Sequence, residues 1–195
     1  VIGDYGSGKS HFLYCLRDLA WERGFAVSKV DLSPVETPYN DQHAVYAAVA
    51  RNLIWHEADE SVTDEYGLPR FLEGTLQRVV GGTISLETAN HPNYRALVDS
   101  LPRWLMGVST TPADPAVLRE MGVAGKISKP NAFRMLRSLA QVIRALSYSG
   151  LILLFDEVDR MASIGGKAEK LATDNLREVI DRCRDEMPGA MFVYA

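Results

Sequence analysis

Gly3, Gly8, Lys9 and Ser10 stand in the spacing G-x-x-x-x-G-K-S/T. Glycines at such positions let the backbone curl until successive N–H groups point inward at phosphate oxygens. The lysine then reaches the β- and γ-phosphates, and the serine hydroxyl helps to hold Mg²⁺. A helix that starts at this turn adds its positive N-terminal end to the same anion. On this reading Gly3, Asp4, Tyr5, Gly6, Ser7, Gly8, Lys9, Ser10 and His11 form a nucleotide-binding run, with Lys9 also catalytic and Ser10 a metal ligand. An ordinary first-turn helix position is the plainer account of His11. A glycine-rich strand-to-helix turn with an unrelated lysine would share the pattern, so the reading requires a strand before it and a helix after.

A second group of chemistry-bearing residues closes the most hydrophobic run of the chain, LILLFDEVDR. Leu151 to Phe155 suit a central parallel strand buried on both faces, and Asp156 and Glu157 end it. Ligands of open α/β sheets bind at the C-terminal ends of strands, which would bring these carboxylates beside the phosphate loop. Asp156 would hold Mg²⁺, through a water, as the Walker B acid of phosphate-loop enzymes does. Glu157 would orient and polarise the water that attacks the γ-phosphate, as a general base. A polar turn that merely caps the next helix is the plain alternative. Asp159 suits such a capping role and is assigned no chemistry. His43, His56 and His91 are scattered, without ligand-like spacing.

The elements that must position these groups follow from periodicity and breakers. Val1 and Ile2 read as the end of a strand. Phe12, Cys15, Leu16, Leu19 and Ala20 fall at helical spacing on one face, with Gly24 placed to close the helix. FAVSKVDLS reads as a second strand, stopped by Pro34. From Pro34 to Gly150 the chain is too long for a simple connection and reads as mainly helical. Its helical stretches include one capped by Asp41 with Val45, Val49 and Leu53 apolar, one around Leu72, Leu76, Val79 and Val80, and one around Tyr94, Leu97, Val98 and Leu101. The clearest helix carries Phe133, Leu136, Leu139, Ala140, Ile143 and Leu146 as its buried stripe and leads into the carboxylate-bearing strand, as a right-handed crossover requires. Arg134, Arg137 and Arg144 on that helix read as a solvated face rather than a DNA-binding ridge. After a glycine pair, a charged amphipathic helix follows with Leu171, Leu176, Val179, Ile180 and Cys183 apolar, and AMFVYA opens another buried strand.

The bulk numbers bound the rest. A chain of 195 residues with 47% hydrophobic content can bury a substantial core. A net charge of −4 and a pI near 5.6 give no electrostatic reason to expect nucleic acid across the whole surface. Cys15 and Cys183 suggest neither a disulfide framework nor a metal cluster. No apolar run reaches membrane-spanning length and no signal peptide is visible, so a cytoplasmic protein without a membrane partner is expected. The chain lacks an initiator methionine, and both of its ends read as core strands, so the sequence is expected to be a window on a longer protein.

An adjacent Asp-Glu pair after the Walker B strand, followed by another helix and strand, resembles the additional-strand P-loop ATPases, including the AAA+ and origin-recognition types. GDYGSGKSHFLYCLRDLAWERGFAVSKVDLSP and LREVIDRCRDEMPGAMFVYA resemble more closely the ATP-binding proteins of the bacteriophage-exclusion (BREX) defence systems, of the BrxC/BrxD kind. The resemblance implies an α/β fold. The expectation is a P-loop NTPase three-layer sandwich whose parallel sheet is incomplete at both ends, with a large, mainly helical insertion. Residues 1–33 and 131–195 would form the two parts of the ATPase core and residues 34–130 the insertion. The strand beginning at Ala190 would lie between the Walker A and Walker B strands, with a sensor residue and an arginine finger past Ala195. The implied function is binding of ATP with Mg²⁺ and hydrolysis that drives a DNA-directed assembly in phage defence. Self-assembly or other defence-system subunits would be partners, with DNA contacted by parts outside this segment. A nucleotide-gated interaction module with little hydrolysis and an origin-recognition-like DNA-binding ATPase stay open as alternatives. A small-molecule kinase fits poorly, because the Asp-Glu pair favours water as acceptor.

Overall fold

The structure is a computed structural model that describes residues 7–56, 67–72, 74, 132–160 and 165–195. Among these, α1 (Lys9–Glu22) leads to β1 (Ala26–Asp31), followed by α2 (Gln42–Arg51) and a short β2 (Leu53–Ile54). Then come α3 (Ala132–Ala145), β3 (Leu151–Asp156), α4 (Gly166–Glu186) and β4 (Ala190–Tyr194). The strands form one sheet in the order β2-β1-β3-β4. β1, β3 and β4 run parallel, and β2 is antiparallel at the edge. Helices alternating with a mostly parallel sheet make the chain an α/β protein, as its pattern of elements predicts.

All residues of β3 are buried, consistent with the apolar run that marks it as a central strand. Its side chains alternate between two clusters. Leu151, Leu153 and Phe155 join Ala26 and Val30 of β1 in the larger, beneath α2 and α3. Ile152 and Leu154 join Val27 in the smaller, against Leu13 and Ala20 of α1. The expected stripe of α3 is the buried one: Phe133, Leu136, Leu139, Ala140, Ile143 and Leu146 are all buried. Arg144 turns back to the end of its own helix, donating to the carbonyls of Tyr148 and Ser149.

Two helix faces differ from the sequence expectation. On α1 the inward residues are Leu13, Leu16 and Ala20, whereas Phe12, Cys15 and Leu19 are exposed. This helix is apolar on two adjacent sides, so periodicity permits either stripe, and docking on Val27, Ile152 and Leu154 selects one. On α4 the buried positions are Ala172, Asn175 and Val179, with Leu171 and Ile180 exposed. Asn175 earns its buried place through hydrogen bonds, donating to Tyr39 O and accepting from Gln42 Nε2.

Asp41 caps α2 as expected, accepting from the amides of His43 and Ala44. The helix ends at Arg51, however, and Leu53 pairs with Ser28 in a strand rather than continuing it. Asn52 ends the helix and donates its side chain to Lys29 O, which delivers the following residues to the β1 edge. Gly24, with φ 73°, closes α1. β4 flanks β3 on the side away from β1, one half of the expected placement; Val1 and Ile2 lie outside the described residues. Of the expected helix around Leu72, Leu76, Val79 and Val80, residues 68–72 and 74 are helical with Leu72 buried, and the remainder, like the expected helix around residues 94–101, lies outside the described residues.

The strand starts converge on Gly150. Its carbonyl accepts from Ala26 N, and Gly189 O accepts from Leu151 N. A Cβ at position 150 would come within 2.2 Å of Gly189 O, so only glycine lets β3 and β4 begin side by side here.

Candidate functional site

The C-terminal end of β3 and the N-terminus of α1 meet at a cleft of about 340 Å³ lined by Gly8, Lys9, Ser10, His11, Asp156, Glu157 and Asp159. Two groups of residues separated by most of the chain are thus brought to one place. Gly8 makes this approach possible: it precedes α1 with φ 86°, and its carbonyl accepts the first helical hydrogen bond from Phe12 N. No side chain caps the N-terminus of α1. Free amides at a helix start are the usual seat for an anion. Ser7 is exposed beside the turn, and Gly3, Asp4, Tyr5 and Gly6 lie outside the described residues. His11 is exposed on the first turn, with Nε2 3.7 Å from Cys15 Sγ.

Asp156 is the buried member of the group, 4% exposed. Its Oδ1 accepts from the amide of Glu157 at 3.0 Å, and its Oδ2 lies 3.1 Å from Nζ of Lys29. Ser10 also hydrogen-bonds this carboxylate, so the two expected metal ligands touch each other. Burial alone would push the acid upward. The bonds from Ser10 and Lys29, the Lys29 charge and the Glu157 amide outweigh it and hold the carboxyl below the usual range. Asp156 is therefore a carboxylate at neutral pH.

Glu157 follows in the left-handed region, with φ 62°. For a residue with a Cβ this conformation costs about 1 kcal/mol or more, and such strain gathers at working sites. The turn aims the side chain out of the sheet, where Oε2 meets Nε of Arg160 at 2.9 Å. The end of β4 steadies the turn from the other side: Phe155 O accepts from Ala195 N, and Ala195 O accepts from Val158 N. Asp159, expected only to cap, also lines the cleft.

Sequence reasoning missed Lys29 and Asp31. β1 and β3 are paired so that Asp31 lies opposite Asp156, and Lys29 shares their face. Its ammonium bonds Asp31 as well as Asp156 and sits 4.8 Å from the centroid of the Tyr14 ring. Burial would lower the lysine pKa, and the two carboxylates more than offset it, leaving the pKa raised and the group charged. A signal was present. A lysine inside a β-branched strand, with apolar neighbours two residues before it on the same face, must find a counter-charge there.

Among the described residues no three His, Cys, Asp or Glu side chains are grouped to hold a metal by themselves. That donor set suits a hard cation carried with a nucleotide. Mg²⁺ is commonly held by one or two protein oxygens, with phosphate oxygens and water completing its shell, and Ser10 with Asp156 fits that pattern. No helix among the described residues is long and apolar enough to cross a membrane.

A family model described as BREX system ATP-binding protein BrxC/D matches residues 1–100 and 83–195, two overlapping stretches that together span the chain. No curated protein matches, and no solved structure matches.

Proposed function

The chain belongs to the family of BREX system ATP-binding proteins BrxC/D, and from that premise we propose that it binds Mg²⁺-ATP in the cleft between α1 and β3 and hydrolyses it. The observation that carries this reading is the cleft shared by Lys9, Ser10, Asp156 and Glu157. On it, the fold is a P-loop NTPase three-layer sandwich with α1 covering one face of the sheet, and residues 34–130 are an insertion into it.

Each residue has a separate task. The run Gly3–Ser10 wraps the phosphates with backbone amides at the start of α1, and Lys9 places a positive charge on the β- and γ-phosphates. Ser10 and Asp156 hold Mg²⁺, which when bound neutralises charge building up on the phosphoryl oxygens. Glu157, aimed away from the strand by its left-handed backbone, orients the attacking water and accepts its proton. Family membership supports a role in phage exclusion. ATP turnover would drive assembly with further copies or other defence-system subunits, acting on DNA through other parts of the protein, in the cytoplasm. A nucleotide switch with little hydrolysis is the second reading, favoured by one observation: Glu157 is paired with Arg160, a partner it must leave before it can orient a water.

Titration with a fluorescent ATP analogue tests the site. Lys9→Ala removes a charge-assisted contact worth about 1.5–3 kcal/mol, so affinity falls by roughly ten- to a hundredfold. Unchanged affinity in a folded variant would sink the phosphate-loop reading.

A further inference from the structure

Lys29 stands between two carboxylates of unequal exposure. Its own side chain keeps 11% exposure and that of Asp156 keeps 6%, while Asp31 is 70% exposed. The lysine therefore has one buried partner that lines the cleft and one exposed partner at the end of β1. The register of β1 against β3 makes this a built arrangement, because Asp31 and Asp156 are paired positions on neighbouring strands. Two carboxylates so placed repel unless a cation lies between them. Tyr14, on the helix that carries Ser10, closes over the ammonium, and Arg17 lies on the same ring at 5.2 Å.

We propose that Lys29 is the resident counter-cation of the metal site: it neutralises Asp156 before metal arrives and shifts wholly onto Asp31 when metal bound with the nucleotide takes Asp156. The inference rests on the Mg²⁺-ATP reading and deepens it. A lysine charge a few ångströms from a divalent cation repels it strongly at low dielectric, so Lys29 must be drawn off. Lysine suits the task, since its ammonium has three rotatable donors on a flexible stem and can release one acceptor while keeping the other. Asp31 is the acceptor it keeps. The site thereby holds little net charge without nucleotide, and metal enters together with the phosphates that complete its shell.

The test measures apparent Mg²⁺ affinity on the intact protein, by titrating Mg²⁺ into a fluorescent ATP analogue complex. Asp31→Asn leaves Lys29 no second carboxylate, so Mg²⁺ binding weakens by about tenfold. Lys29→Met removes the competing cation, so Mg²⁺ binding tightens by a similar factor. Nucleotide affinity in EDTA is measured for each variant and divided out, so that the comparison reads the Mg²⁺-dependent increment alone. In the double variant the Asp31→Asn effect vanishes, because Asp31 acts through Lys29. A purely structural role would move both single variants in the same direction. That result overturns the inference, as does no shift, or an Asp31→Asn effect undiminished in the Lys29→Met background. If Lys29→Met fails to fold, exposed Asp31 still decides: unchanged or tighter Mg²⁺ binding in Asp31→Asn overturns the inference. A wild-type protein that binds no nucleotide refutes the phosphate-loop reading itself and the inference with it. Mg²⁺-dependent binding with the wrong signs refutes the inference alone.

Discussion

The carboxylate of Glu157 lies 2.9 Å from Nε of Arg160, three residues further along the chain. Both side chains are substantially exposed, so the pair adds little stability and is readily exchanged for water. Its consequence is geometric: the arginine holds the base of the proposed reaction beside the cleft without burying it.

Glu157→Gln separates binding from turnover. The amide oxygen can still accept from Arg160, so stability changes by less than about 0.5 kcal/mol. The base is lost, and turnover falls by roughly two to four orders of magnitude while Mg²⁺-ATP still binds. Asp156→Asn weakens Mg²⁺-dependent binding as well. Phosphate-release kinetics beside nucleotide titrations distinguish the two, and identical behaviour would show the division of roles to be wrong.

Gly150→Ala disrupts the start of the sheet. The added methyl meets Gly189 O at 2.2 Å, and because a Cβ is fixed by its own backbone and the oxygen belongs to the chain, no rotamer change relieves the clash. The expected loss is about 2 kcal/mol or more, seen as a lower denaturant midpoint by circular dichroism. A midpoint equal to wild type would mean that β3 and β4 do not start side by side.

Alkaline pH probes the far end of β4. Tyr39 and Tyr194 share a hydrogen bond at 2.7 Å between their hydroxyls. Burial pushes the Tyr39 phenol up to about 12, against a smaller opposing effect from the Tyr194 bond. A raised phenol favours the native state while protonated, so its contribution is intact below pH 10 and is lost as pH climbs from 10 towards 12. Denaturant midpoints measured across that range should fall, and Tyr39→Phe should make the fall shallower, the buried phenols of Tyr46 and Tyr194, also raised, carrying the remainder. An equally steep loss in Tyr39→Phe would assign it elsewhere.

Assembly is tested by dilution. If hydrolysis needs an arginine supplied across a subunit interface, an effect of about 10³–10⁵ in related phosphoryl-transfer systems, the ATPase rate per molecule rises with protein concentration. A rate that stays constant down to dilute monomer would defeat the assembly claim.

The candidate residues of the cleft, and the strand and helix that carry them, were legible without any structure. Lys9 and Ser10 follow from a spacing imposed by phosphate geometry, and Asp156 and Glu157 from a run apolar enough to be a central strand, since both signals are local. The buried stripe of α3 was equally legible because its apolar residues, exposed Val142 excepted, gather on one side. Tertiary structure decided the rest. Which apolar side of α1 faces inward depended on the sheet it docks against, and Asn175 is buried because Tyr39 and Gln42, far away in sequence, supply its hydrogen bonds. Leu53 left the helix for a strand because an edge of β1 was there to pair with it. Lys29 became part of the site only through the register that sets Asp31 against Asp156. Pairing between strands more than a hundred residues apart leaves no periodicity in either one, so the contact that places a charge beside Asp156 exists only once the sheet has formed.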